Sequence, residues 1–328
     1  MDYAGKYAVF DFSQVETYPI GERPNKVRAE DLVVPEDVAR SQIPYQDEAL
    51  DEVAQHIKDA RSKDCPVIWM MGAHPVKLGL APLVNDLIRR DMITLVATNG
   101  AGAIHDFELA LIGQTSESVP NALPEGRFGM AYETGTYMND AMVHGHSFRL
   151  GLGESLARMI RGEPFPYPVE FPHRAFSFLC TGYEEDVPVT VHATVGTDIT
   201  DQHPNFDGAA KGGCSGRDFG IYAGEVCRLT DGGVVLNIGS AVTGPEVFLK
   251  SVSMAANVGR APQGIITADF DIRPVNFDHM ADESKFSYYF RNAKSVVTRI
   301  PEAFGGRGYY VRGHFSETIP ALYQRLVN

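Results

Sequence analysis

Two histidines and a set of acids lie in loops that follow short apolar runs. His74 is in GAHPVK (72–77) and His105 in TNGAGAIHD (98–106). Imidazole titrates near neutral pH, so His74 and His105 are candidates to move a proton. The alternative for each is a hydrogen-bonded structural ring. The long segment GTDITDQHPNFDGAAKGGCSGRD (196–218) is more polar and carries Asp198, Asp201, His203 and Asp207. Its carboxylates suit an amine-bearing substrate. The same spacing is open to a metal or to turn capping, and no metal is expected.

Glycine is the second signal. VATNGAGAIHD (96–106) puts Gly100 and Gly102 just past an apolar run. Glycine costs backbone entropy on folding, so something is expected to approach this backbone closely. The loops at 72–77, 98–106 and 238–246 each lead into a helix-like stretch. Helix N-terminal amides favour anions such as a pyrophosphate. On that reading Gly72 and Ala73 in the first loop, and Asn99 to Gly102 in the second, lie against a nucleotide. Asp106 accepts from its ribose hydroxyls. The alternative is that the glycines only permit tight strand-to-helix turns.

The elements that must position these loops read as follows. PVIWMMG (66–72), MITLVATNG (92–100), VPVTVHATVG (187–196), GGVVLNIGS (232–240) and GIITADFDI (264–272) are short and continuously apolar, as strands buried on both faces are. RAFSFLCTG (174–182) is a further strand candidate. Helical patterns fill the gaps at 47–61, 80–91, 152–162 and 244–259, with a terminal helix in ETIPALYQRLVN (317–328). The alternation predicts a Rossmann-like α/β fold, a mostly parallel sheet with helices on both faces. Ligands of such sheets bind beyond the carboxyl ends of the strands. Residues 1–45, with several prolines and little periodicity, predict an N-terminal arm on a single domain over 46–328.

The chain has 328 residues and a formal net charge of -13. That charge repels nucleic acid and anionic membrane, so neither is an expected partner. It suits a small, cationic substrate. Four widely spaced cysteines make no disulfide framework, and no run approaches a membrane span. A cytoplasmic protein is expected.

LVATNGAGAIHDFELAL, VPVTVHATVGTDITD, GGVVLNIGSAVTGPEVFLKS and IITADFD together resemble, in chain order, segments of the deoxyhypusine synthases. The resemblance implies NAD as cofactor, with Thr98, Gly100, Ala101, Gly102, Asp106, Asp198, Gly239, Ser240 and Ala241 beside it. It also implies a polyamine-gripping role for Asp201 and a homotetramer. The family's lysine lies in S-W-G-K, which this chain lacks; Lys285 and Lys294 fall in the corresponding region, and Lys285 is the candidate. The expected function is therefore NAD-dependent chemistry on a small amine or alcohol rather than deoxyhypusine synthesis. A non-redox sugar-phosphate isomerase or transferase, and a non-catalytic ligand-binding homologue, are the alternatives.

Overall fold

The structure is a computed structural model that describes residues 3–328. Among the described residues eight strands form: β1 (Asn25–Arg28), β2 (Val67–Met71), β3 (Leu95–Asn99), β4 (Gln114–Glu117), β5 (Val189–His192), β6 (Val234–Ile238), β7 (Ile266–Asp271) and β8 (Arg307–Arg312). The five apolar runs supply β2, β3, β5, β6 and β7. With β8 they make one six-stranded sheet, wholly parallel, in the order β5-β3-β2-β6-β7-β8. Counted along the chain, its strands run 3-2-1-4-5-6, the Rossmann order.

Alternation along β2 explains why both faces are apolar. Val67, Trp69 and Met71 join a core on one face, packed by the helices Glu48–Ser62, Ala81–Arg89, Gly100–Ile112 and Phe315–Val327. Ile68 and Met70 join the core on the other, under Gly208–Val226 and Thr243–Asn257. Each face therefore demands a helix layer, and the hydrophobic effect supplies one on both sides.

Three segments differ from expectation. β8 was not anticipated, because RGYYVR alternates apolar with polar residues at a sheet edge and lacks the continuous apolar signal. RAFSFLCTG is no strand: Ser177 caps the helix Phe178–Glu184 through its hydroxyl. The second half of the long polar segment is helix from Gly208 on, capped by Asp207, despite its glycines. Gly212, Gly216, Gly220 and Gly224 of that helix face open space.

The N-terminal arm lies on the body. β1 pairs antiparallel with β4, Asn25 opposite Glu117 and Val27 opposite Thr115, and Tyr18 bridges to Ala131. This pairing brings Arg23 over the Gly100–Ile112 helix, where it meets Glu108. No helix is long and apolar enough to cross a membrane among the described residues.

Candidate functional site

The strand order reverses between β2 and β6, which is where a Rossmann sheet opens its ligand crevice. Here the two loops close on each other. A Cβ on Gly72 would stand 2.6 Å from the Gly239 carbonyl oxygen. The other glycines of the expected cradle also face the protein's own atoms. A Cβ on Gly100 would run into the Asp198 carboxylate, one on Gly102 into the Thr98 hydroxyl, and one on Gly239 into the Phe315 ring. Asn99 Oδ1 accepts from Gly102 N–H at 2.9 Å as a helix cap. Ser240 Oγ accepts from Gly244 N–H in the same way. Pro75 follows Gly72 and Ala73 in the first turn, so that turn offers one amide fewer. On their Cβ sides these glycines pack against the chain itself. The glycines are explained by close internal packing.

Asp106 does not face the crevice. It is fully buried and accepts from the Ser177 hydroxyl, from Phe178 N–H at 2.8 Å and from Leu179 N–H at 3.3 Å, anchoring the start of the Phe178–Glu184 helix. Burial pushes its carboxyl up to about 7. Asp198 and Asp201 both grip the buried Lys211 ammonium, the former at 2.7 Å. Asp201 also accepts from Gly196 N–H at 2.6 Å. The pair therefore already holds a cation that belongs to the chain. His203 is buried, with Nε2 2.8 Å from the Gly129 carbonyl, and does not join the two aspartates. Asp207 is an exposed cap on the Gly208–Val226 helix. Lys285 is exposed, and Lys294 lies over the Tyr288 ring.

His105 is the expected residue with a site around it. It lines a cavity of about 240 Å³ with Arg23, Lys77, Ala101, Glu108, Ser116, Glu117 and Asp198. Its Nδ1 is 2.7 Å from Thr115 Oγ1, which donates to Glu108 Oε2 at 2.6 Å. Glu108 also accepts from Thr134 at 2.8 Å and pairs with Arg23 at 2.7 Å. Burial by itself would raise the Glu108 carboxyl, but the Arg23 guanidinium and these donors hold it below the usual glutamate value. Glu108 is thus ionised and can only accept. The single Thr115 proton goes to it, so Thr115 Oγ1 accepts from His105 Nδ1–H. The ring is fixed as the Nδ1–H tautomer, with the Nε2 lone pair left for the cavity. Burial pushes the imidazole down to about 4, so it is neutral at pH 7.

The backbone is strained at this place. Ser116, between Thr115 and Glu117, has φ 70°, left-handed for a residue with a side chain. Arg23, Thr115 and Glu117 were missed in sequence because only the β1–β4 pairing unites them. Glu108 had a signal: it lies one helical turn after His105.

His74 lines a different cavity, of about 370 Å³, beyond β6, β7 and β8. Gly239, Ser240, Ala241, Arg273 and His314 share it, and the Phe315–Val327 helix opens there without a side-chain cap. The structure therefore separates the two catalytic histidine candidates into two cavities.

No family model matches the chain. No curated protein matches it either. Among solved structures it is similar to ArgZ, an arginine dihydrolase from the ornithine-ammonia cycle in cyanobacteria, at 14% identity over 84% of this chain and 32% of that one, TM-score 0.48. It is similar to AgrE, in a ternary complex with ornithine and NAD+, at 13% identity over 87% of this chain and 34% of that one, TM-score 0.48. It is also similar to a protein described as a deoxyhypusine synthase from Entamoeba histolytica, at 9% identity over 95% of this chain and 96% of that one, TM-score 0.48. The chain spans about a third of the length of ArgZ and AgrE. At these identities and scores the likenesses concern arrangement alone.

Proposed function

We propose that this chain is an enzyme acting on a small polar substrate in the 240 Å³ cavity, with His105 Nε2 as its proton-handling atom. The observation that carries the reading is the Glu108–Thr115–His105 hydrogen-bond chain, which ends on a ring nitrogen with no hydrogen-bond partner among the described residues. Such a chain holds an imidazole in one tautomer and one orientation. With its pKa near 4, Nε2 is a weak base. It accepts a hydrogen bond from a substrate N–H or O–H, and takes the proton as bond-making at that atom acidifies it.

The test is turnover across a panel of small amines and alcohols, with and without NAD+, read for the wild-type chain and His105→Gln. A loss of about 10²–10⁴-fold in the variant supports the reading. Turnover within a few-fold of wild type overturns it.

A second reading retains NAD, bound beside the loop of Gly239, Ser240 and Ala241. It is favoured by the 370 Å³ cavity at the uncapped start of the Phe315–Val327 helix, a size in the range of roughly 300–1,000 Å³ usual for ligand pockets. Titration of NAD+ against wild type and Arg273→Ala reads this directly, and no saturable binding removes it. The homo-oligomer expected from the sequence belongs to the same proposal, and light scattering on the purified chain reads it.

A further inference from the structure

Glu117 carries an acceptor that no donor among the described residues uses. Its side chain is 7% exposed. One oxygen, Oε1, accepts from Gly129 N–H at 2.8 Å and stands 3.8 Å from Arg23. The other, Oε2, is buried without a partner among the described residues. Glu117 lines the 240 Å³ cavity and also a neighbouring cavity of about 200 Å³, bounded by Tyr18, Asn121 and Arg127. A buried carboxylate oxygen with no donor costs free energy, unless the missing donor arrives with a ligand. Burial also holds the Glu117 carboxyl above the usual glutamate value, the sign of a site short of positive charge.

Lys77 supplies the opposite sign on the same cavity. It is exposed, and its side chain makes no ion pair or hydrogen bond among the described residues. Arg23, the other cation of the lining, is already committed to Glu108. One cavity thus presents, among the described residues, an unpaired ammonium and a carboxylate oxygen without a donor.

We propose that the site takes a small zwitterion, an amino acid whose ammonium group donates to Glu117 Oε2 and whose carboxylate meets Lys77. This rests on the reading that the 240 Å³ cavity is the substrate site. The ammonium brings the donors that Oε2 lacks, and a charge-assisted bond in a buried place is strong. Lys77, being exposed, contributes steering and a screened attraction. The substrate then lies along the face that His105 Nε2 overlooks.

The experiment is isothermal titration calorimetry on the full chain at pH 7.5. The probes are β-alanine, 4-aminobutanoate, 5-aminopentanoate and 6-aminohexanoate, with butanoate and butylamine as single-charge controls. At least one ω-amino acid is expected to bind more tightly than both controls. Glu117→Gln keeps the shape and the Gly129 bond; it is expected to weaken that amino acid about tenfold or more and leave butanoate unchanged. Lys77→Met, at an exposed position, is expected to weaken both acids and leave butylamine unchanged. The thermal midpoint of each variant confirms that it is folded. Unchanged amino-acid binding in Glu117→Gln overturns the inference. Butanoate binding as tightly as every amino acid also overturns it, while the cavity reading stands. Binding of no probe at all removes both.

Discussion

Thr115 Oγ1 stands 2.7 Å from His105 Nδ1, on a strand that the chain reaches only after the helix holding His105 has ended. Thr115→Val keeps the shape but strips the hydroxyl. It leaves His105 Nδ1–H and Glu108 Oε2 each short of a partner. The expected cost is about 1–3 kcal/mol, read from chemical denaturation. Thr115→Ser, which keeps the hydroxyl, is expected to lose much less. Equal losses in the two variants would assign the effect to packing.

Arg23 ties the N-terminal arm to the site. Its guanidinium is the only cation within ion-pair distance of the buried Glu108 among the described residues. Removing one partner of a buried pair leaves an uncompensated charge. Arg23→Met is therefore expected to destabilise the chain by about 3–5 kcal/mol, with an unchanged denaturant slope. A loss below about 1 kcal/mol would mean that the pair is wet.

Two histidines make the fold sensitive to acid. Burial pushes both His105 and His192 down to about 4. The unfolded chain protonates them near the ordinary value of 6.5, so between pH 6.5 and 4 it binds protons that the fold does not. Stability from each ring is full above that window and falls as pH falls through it. Asp106, Asp218 and Asp269, pushed up to about 7 by burial, act in the opposite sense and lose stability as pH rises toward 7. Comparing His192→Phe with wild type cancels the aspartates. The variant is expected to lose about 2 kcal/mol less than wild type between pH 7 and pH 5. Parallel pH profiles would show that His192 protonates freely in the fold.

The glycine-rich helix offers a gain. At Gly216 and Gly220 an added Cβ meets nothing within 4 Å. Gly216→Ala is expected to raise stability by about 0.5–1 kcal/mol, read as a higher thermal midpoint. At Gly213 the same Cβ would enter the His146 ring, and Gly213→Ala is expected to destabilise. A loss at Gly216 would show that this face is covered by another chain.

The sheet was legible because its strands are continuously apolar, as burial on two faces requires. β8 was not, because an edge strand carries half that signal. The site was legible at His105, Ala101 and Asp198, which all line the cavity. VATNGAGAIHD drew attention to the right loop for a reason that differs from the structure's. Its glycines admit the Asp198 carboxylate and the Thr98 hydroxyl, and sequence cannot tell an internal oxygen from a phosphate. Asp106 was misplaced because helix periodicity does not say which neighbour a buried acid meets, and it meets Ser177. Arg23 and Thr115 lie far apart in the chain, and only the β1–β4 register joins them.

The central claim is that His105 is neutral, protonated on Nδ1, and open at Nε2. Two-bond proton–nitrogen NMR on the histidine-labelled chain at pH 7 reads the tautomer directly. The account predicts a protonated Nδ1, an unprotonated Nε2, and no titration of this ring above about pH 5. A ring protonated on Nε2, or one titrating near 6.5 like a free histidine, would contradict it.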